Sequence, residues 1–269
     1  MDLLKEIGDS RLYNLHSHTQ FCDGRADMER FVVAAVEQGF SHYGFSPHSP
    51  VPIASPCNMA ADEVAAYLAE CERLQCIYGD KIRLFAAMEI DYLSGEWGPS
   101  HDFFQSLPLD YRIGSVHFIP SEHGMIDVDG RPEDFAVKMY EHFHEDLRHV
   151  VTTFYHQTWA MLNAGGFDII GHFDKIGFNA SNYQPGVEQE PWYRQLVADT
   201  IDLIAEKGVI AEINTKAWDA HQRLFPSPQW LTMLRQRHIP VVVNSDAHYP
   251  HLINAGREEG LSLHHETSA

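Results

Sequence analysis

Short apolar segments with strand character alternate along this chain with helix-like ones, and strand after strand runs out onto His, Asp or Glu. The first is LHSHTQFCDG (residues 15–24); HYGFSPH, IRLFAAMEI, YRIGSVHFI, FDIIGHFD, GVIAEIN and HIPVVVNSDAH follow in order. Between them the periodicity predicts helices: from Asp27, as N-cap, through Gln38, then over 60–78, largely over 132–162, near 192–207 and over 228–237. Repeated units of this kind specify parallel strands joined by helical crossovers, hence an α/β fold, with a barrel as the economical closure. No composition break or Pro/Gly/Ser-rich linker divides the chain, so residues 1–269 are expected to form a single domain. The Pro- and Ser-rich stretch 46–59 reads as a loop over the strand ends.

The polar ends matter because of where they lie. In parallel α/β folds active sites are built at the C-terminal ends of the strands, which gives His16, His18, His48, Glu89, His117, His172, Asp246 and His248 a common location. Alternate residues of a strand point the same way, so His16 and His18 can reach one ion, and so can Asp246 and His248. Imidazole and carboxylate together suit Zn, Mn or Fe, and a carboxylate can bridge two ions. A lone HxH is more often incidental than metal-binding, and one buried His such as His117 is more often a satisfied core residue. Repetition is what points to a multinuclear metal site, because such groups are costly to bury without partners.

Composition bounds the function. A net charge of −19, with only 19 Lys and Arg, opposes a nucleic-acid surface, which needs clustered cations. It leaves room for a small anionic substrate, since bound metal ions can dominate a local field. No apolar run of about 18 residues suggests a membrane span, and MDLLKEIGDSR lacks the pattern of a secretory signal. Cys22, Cys57, Cys71 and Cys76 form no CxxC pair, so neither a disulfide scaffold nor a zinc ribbon is expected, and a reducing cytoplasm is the simplest setting.

LHSHTQFCDG, GFSPHSP, MEIDY, GSVHF, GHFD, EINT and NSDAH, in this order, resemble the PHP (polymerase and histidinol phosphatase) superfamily from about Asn14 to His248. Within it, CDG, SPH, MEIDY and SVHF resemble the monofunctional histidinol-phosphate phosphatases of histidine biosynthesis. The resemblance implies a distorted (β/α)7 barrel of parallel strands with outer helices, and three divalent ions (Zn, Mn or Fe). It implies that His16, His18, Glu89 and Asp246 hold the first ion. Glu89 would bridge to a second ion bound by His117 and His172, while Asp23, His48 and His248 would hold the third. His156 falls within a helical stretch and is read as a surface or structural residue.

The implied chemistry is hydrolysis of a small phosphomonoester. Metal ions would bind the phosphoryl oxygens, and a hydroxide held between two of them would attack phosphorus in line with the leaving oxygen. Lys175, Lys216, His221 and Arg223 are the candidate phosphate-binding bases, and Asp174 is the candidate acid for the leaving group. Asp91, Asn214 and Asp174 could also orient ligands or carry protons, and Tyr92, Trp97, Trp218 and Phe225 could line the site. His101, His123, His142, His144, His149, His264 and His265 lack strand-end context and read as solvated. Cys22 is expected to be idle, because CDG lacks the phosphate-cradling loop and arginine of a cysteine phosphatase. Two rivals stay open: a PHP nuclease or nucleotide phosphoesterase, against which the acidic surface counts, and a non-catalytic metal-binding protein.

Overall fold

The computed structural model describes residues 2–266. The strands are β1 (Tyr13–Asn14), β2 (His42–Phe45), β3 (Arg83–Asp91), β4 (Tyr111–Ser115), β5 (Phe118–Ser121), β6 (Gly124–Asp127), β7 (Ile169–Ile170), β8 (Ile210–Asn214) and β9 (Val241–Asn244). The helices are α1 (Leu3–Ile7), α2 (Met28–Glu37), α3 (Val64–Tyr78), α4 (Asp102–Ser106), α5 (Pro132–His142), α6 (Leu147–Ala164), α7 (Ile176–Tyr183), α8 (Pro191–Lys207), α9 (Trp218–His221), α10 (Leu231–Gln236) and α11 (Arg257–Glu266). Seven strands pair in parallel in the order β1-β2-β3-β4-β7-β8-β9, and helices cover the outside. This is the expected distorted (β/α)7 barrel.

Closure between the first and last strands uses side chains as much as ladder. Asn244 Oδ1 accepts from Leu15 N–H at 2.9 Å, Asn14 Oδ1 from Ser245 N–H at 3.0 Å, and the Tyr13 hydroxyl from Val243 N–H at 2.9 Å. Above them Ser17 and Ala247 form a parallel bridge. Arg257 backs this seam, buried beneath Tyr13 and Phe40, with its guanidinium bonded to the carbonyls of Val243 and Arg11.

Period-two alternation sorts the strands into an inner and an outer face. Tyr13, Leu15, Phe85, Ala87, Tyr111, Ile113, Ile169 and Val242 cluster together, which residues of separate strands achieve only inside the barrel. Leu84, Met88 and Ile90 instead pack outward with α2 and α3 residues, and Ala211, Ile213 and Val243 with α6 and α8 residues. The long apolar runs in the sequence are these doubly covered strands.

One expectation is corrected. YRIGSVHFI is not one strand: β4 stops at Ser115, and the chain turns into an antiparallel hairpin, β5–β6, with Phe118 opposite Asp127. The His117 carbonyl accepts from Val128 N–H at 2.9 Å, so pairing passes to the far arm of the hairpin instead of continuing up the barrel. The stretch 132–162 is largely helical as expected, in two helices, because His144 and Glu145 take φ of 51° and 60°, a left-handed pair that no α-helix continues through. The 46–59 stretch forms the expected irregular loop.

Candidate metal centre

Each inner face begins apolar and ends polar. On β3 the alternation runs Phe85, Ala87, Glu89, Asp91; on β4 it runs Tyr111, Ile113, Ser115 and on to His117; on β9 it runs Val242, Asn244 and on to Asp246 and His248. Hydrophobic layers therefore fill the bottom of the barrel, and the same register delivers polar groups at its C-terminal mouth. His16, His18, Glu89, His117, His172 and Asp246 are buried there, while Asp23, His48 and His248 are partly exposed.

The two oxygens of Glu89 divide the cluster. Oε1 lies 2.8 Å from His172 Nε2 and 3.5 Å from His117 Nε2. Oε2 lies 3.2 Å from His16 Nε2, 3.6 Å from His18 Nε2 and 3.0 Å from His48 Nδ1. His18 Nε2 is 3.0 Å from Asp246 Oδ1, and His248 Nε2 is 3.2 Å from Asp23 Oδ1. His117 Nε2 and His172 Nε2 stand 3.3 Å apart. Groups able to hold a metal ion are His18 with Asp23, His48 and His248; His16 with His18 and Asp246; His16 with Glu89 and His172; and His48 with Glu89 and His117.

His16 Nε2, His18 Nε2, Asp23 Oδ1, His48 Nδ1 and Glu89 Oε2 are all buried without a hydrogen-bond partner. Buried polar atoms are normally paired, and orphans this close together, all lone-pair donors, fit divalent cations. The local backbone is built to bring them in. Asp246 takes φ of 48°, a left-handed turn that swings its carboxylate inward. Gly24 follows Asp23 where an added Cβ would fall 2.2 Å from Thr19 N, so only glycine lets this turn close on the His18 strand.

Partners behind the ligand set fix the rings. His16 Nδ1 is 2.7 Å from Glu212 Oε1, and His117 Nδ1 is 2.7 Å from Asp91 Oδ1. A carboxylate at Nδ1 holds that nitrogen protonated and leaves Nε2 free to coordinate, as around bound metals generally. Asp91 also accepts from Asn58 at 2.8 Å, so loop 46–59 is latched to the same carboxylate. Glu212 Oε2 accepts from His172 N–H and Asn214, and Oε1 accepts from Asn244. Sequence reasoning found Asp91 and Asn214 but missed Glu212. The available signal was its place two residues before Asn214, on the same face of an apolar strand.

Charge is traded within the cluster. Burial, which alone would lower His16, is outweighed by Glu212, Glu89 and Asp246, and the ring is pushed well above its ordinary value. Burial is likewise outweighed at His117 by Asp91 and Glu89, leaving it at about 9. His18 is driven well below its ordinary value by burial and by the adjacent His248 and His48. Burial would raise Glu89 and Asp246, yet the neighbouring His rings hold both well down, with Lys216 contributing first at Asp246. The pocket attracts positive charge, but its imidazoles are too crowded to carry it all as protons.

The other expected residues divide. Lys216 Nζ reaches Asp246 Oδ1 at 3.3 Å and His248 Nε2 at 3.4 Å, and Lys175 Nζ pairs with Asp129 Oδ2 at 2.8 Å. Asp174 and Arg223 meet each other instead of the cluster. Arg223 spans Asp174 at 3.1 Å and Glu188 at 2.8 Å, and Asp174 also accepts from Tyr155, Tyr193 and Ser227 N–H. The expected acid and one of the expected phosphate bases thus pair with each other: strands β7 and β8 bring these loops together, and opposite charges meet. His221 is exposed and packs on Phe178. Tyr92 and Phe225 are core residues, Trp97 stacks on Phe103, and Trp218 is partly buried. His123, His144, His149 and His156 are exposed, His101 caps α4, and the side chain of His265 lies outside the described residues.

A cavity of about 430 Å³ opens onto the cluster. Asp23, His48, Asp91, His117 and Lys216 line one side, and loop 54–58, the β5–β6 hairpin, Lys138 and His142 line the other. His142, expected to be solvated, thus belongs to the wall. Cys22 sits against His18 Nδ1 at 3.6 Å, and burial with the nearby Asp23 charge pushes its thiol up to about 12. All the cysteines are free. Among the described residues no helix is long and apolar enough to cross a membrane.

The PHP domain sequence model matches residues 14–216. A Deinococcus radiodurans protein named "Probable histidinol-phosphatase" is 27% identical over 246 residues, covering 89% of this chain and 87% of its own. A Listeria monocytogenes structure, described as a candidate histidinol phosphatase, superposes with a TM-score of 0.82 at 19% identity, over 92% of this chain and 99% of that one. The Lactococcus lactis histidinol phosphate phosphatase, solved with zinc, L-histidinol and phosphate, gives 0.71 at 17% identity, over 95% of this chain and 93% of that one.

Proposed function

The chain belongs to the PHP domain family, and on that premise we propose that it hydrolyses L-histidinol phosphate to L-histidinol and inorganic phosphate. The observation that carries the reading is the crowd of orphaned, inward-facing nitrogens and oxygens around Glu89 at the floor of a small-molecule cavity. Relatives across most of the chain's length bear the histidinol-phosphatase name, and a protein of the same fold holds zinc, L-histidinol and phosphate. We assign three divalent ions (Zn, Mn or Fe). His16, His18 and Asp246 would hold one with Glu89; Glu89, His117 and His172 a second; Asp23, His48 and His248 a third. Bound there, such ions neutralise phosphoryl charge and activate water near neutral pH.

The chain's own groups set up that chemistry. Glu212 and Asp91 hold His16 and His117 with Nε2 facing the centre. Asn214 and Lys216 share Asp246, fixing its carboxylate from both sides. Lys216, bonded to Asp246 and His248, and Lys175, within Coulombic reach of Glu89 and Asp246, are assigned to hold the phosphoryl group. Asp174 and Arg223 keep the loop that carries His172 and Lys175 in place. The hairpin and loop 54–58 enclose the substrate and limit water to the reacting end.

Metal-replete protein is expected to release phosphate from L-histidinol phosphate, and chelation should abolish the release. Absence of release from protein shown by elemental analysis to be loaded would sink the proposal. Parallel assays on nucleotides and single-stranded DNA test the nuclease alternative, which the small cavity and the net charge of −19 disfavour.

A further inference from the structure

Lys175 stands at the N-cap of α7, and Asn179 lies one turn on, so the two share a helix face. Both reach a single short segment, Val128–Asp129–Gly130, where the chain leaves the β5–β6 hairpin. Asn179 Nδ2 donates to the Val128 carbonyl at 3.0 Å, and Lys175 Nζ lies 2.8 Å from Asp129 Oδ2. Val128 N–H donates to the His117 carbonyl at 2.9 Å, and Asp129 N–H to Asp127 Oδ1 at 2.8 Å. Asp129 is therefore fixed from three directions: by a metal-ligand strand, by its own hairpin and by α7.

A merely structural ion pair does not account for this placement. The Lys175 side chain is 10% exposed and Asp129 32%, and Asp129 faces the cavity. The ammonium lies within Coulombic reach of Glu89 and Asp246 and of the His117 and His172 rings. An ammonium beside a site built for cations is repelled once that site is filled, so a carboxylate paired with it helps to hold it there. Asp129 is the only carboxylate in an ion pair with Lys175 among the described residues. It lines the cavity together with His117 and Lys216, so the pair stands at the wall beside the donors. That wall borders the space that, on the phosphatase reading, the phosphoryl group enters.

We propose that Asp129 is a positioning residue that holds the Lys175 ammonium against the phosphoryl end of the cavity, and that the antiparallel hairpin is the device that delivers it. The identity of the anion rests on the phosphatase reading above. The test uses inorganic phosphate, so it stands or fails separately from histidinol phosphate turnover.

Phosphate is titrated calorimetrically into the metal-loaded full chain. Asp129→Asn and Lys175→Met should each weaken its Kd by about 10- to 100-fold, the scale of one charge-assisted hydrogen bond. The double variant should be no weaker than the worse single, because both lose the same contact. Asp129→Glu, which keeps the charge, should recover most of the affinity. Metal content by elemental analysis should stay at the wild-type level throughout. Wild-type phosphate affinity in Asp129→Asn, losses that multiply in the double variant, or no phosphate binding by the wild type would each overturn the assignment. Should Asp129→Asn fail to fold, Asp129→Glu and Lys175→Met still decide it: a Lys175→Met protein that binds phosphate normally refutes the proposal.

Discussion

Two buried polar clusters sit near the C-terminal mouth of this barrel, and they differ in one respect. Around Glu89, several nitrogens and oxygens have no hydrogen-bond partner. Around Asp174, both carboxylate oxygens are taken, by Tyr155 and Tyr193 on one side and by Arg223 and Ser227 N–H on the other. Even Gly177 serves that second cluster, since a Cβ there would fall 2.6 Å from the Arg223 guanidinium. Both clusters join charged residues far apart in sequence. In one the central carboxylate is fully paired, with Arg223 Nε alone left over, whereas the other leaves several ligand-type atoms open for something the chain does not itself supply.

The sharpest way to break the comparison is at Glu89. If its oxygens serve two ions, Glu89→Ala should lose more than one equivalent of metal, and turnover should fall by more than about 100-fold, beyond the usual cost of losing an outer partner. Full metal occupancy in that variant would refute the bridge. Arg223→Ala should act oppositely, leaving metal content intact but stranding Asp174 and Glu188 as buried, unpaired acids. Breaking one side of a buried pair costs about 3–5 kcal/mol, visible as an earlier midpoint in urea unfolding. A normal midpoint with a raised KM would return Arg223 to the phosphate.

Smaller effects refine the boundary. Glu212→Gln keeps the shape but removes the charge behind His16, so metal affinity should drop about 10- to 100-fold, measured by chelator competition. Unchanged affinity would make Glu212 a packing residue. The mildest test concerns Cys22, whose raised value, near 12, leaves it a neutral thiol below that pH. Alkylation at about pH 8 should mark exposed Cys76 first and leave Cys22 and activity untouched, read by peptide mass spectrometry. Early labelling of Cys22 would mean the wall at His18 opens.

Much of this was legible beforehand. The strand–helix alternation gave the barrel, and every His, Asp and Glu expected to ligate lies in the cluster, because strand ends and period-two spacing are local properties. The hairpin was hidden, since YRIGSVHFI keeps strand character on both sides of Ser115 and nothing local marks where pairing leaves the barrel. Arg223 and Asp174 looked available for the same reason: a charge's partner is not written beside it.

The sequence by itself determined which residue types stand at each strand end, and so the chemistry the mouth of the barrel could support. Only the tertiary structure decided which of those charges remain free. His16 meets Glu212 across 196 residues, and Arg223 meets Asp174 across 49. Whether a buried carboxylate awaits an ion or is already neutralised depends on what barrel closure sets beside it, at distances that no periodicity encodes.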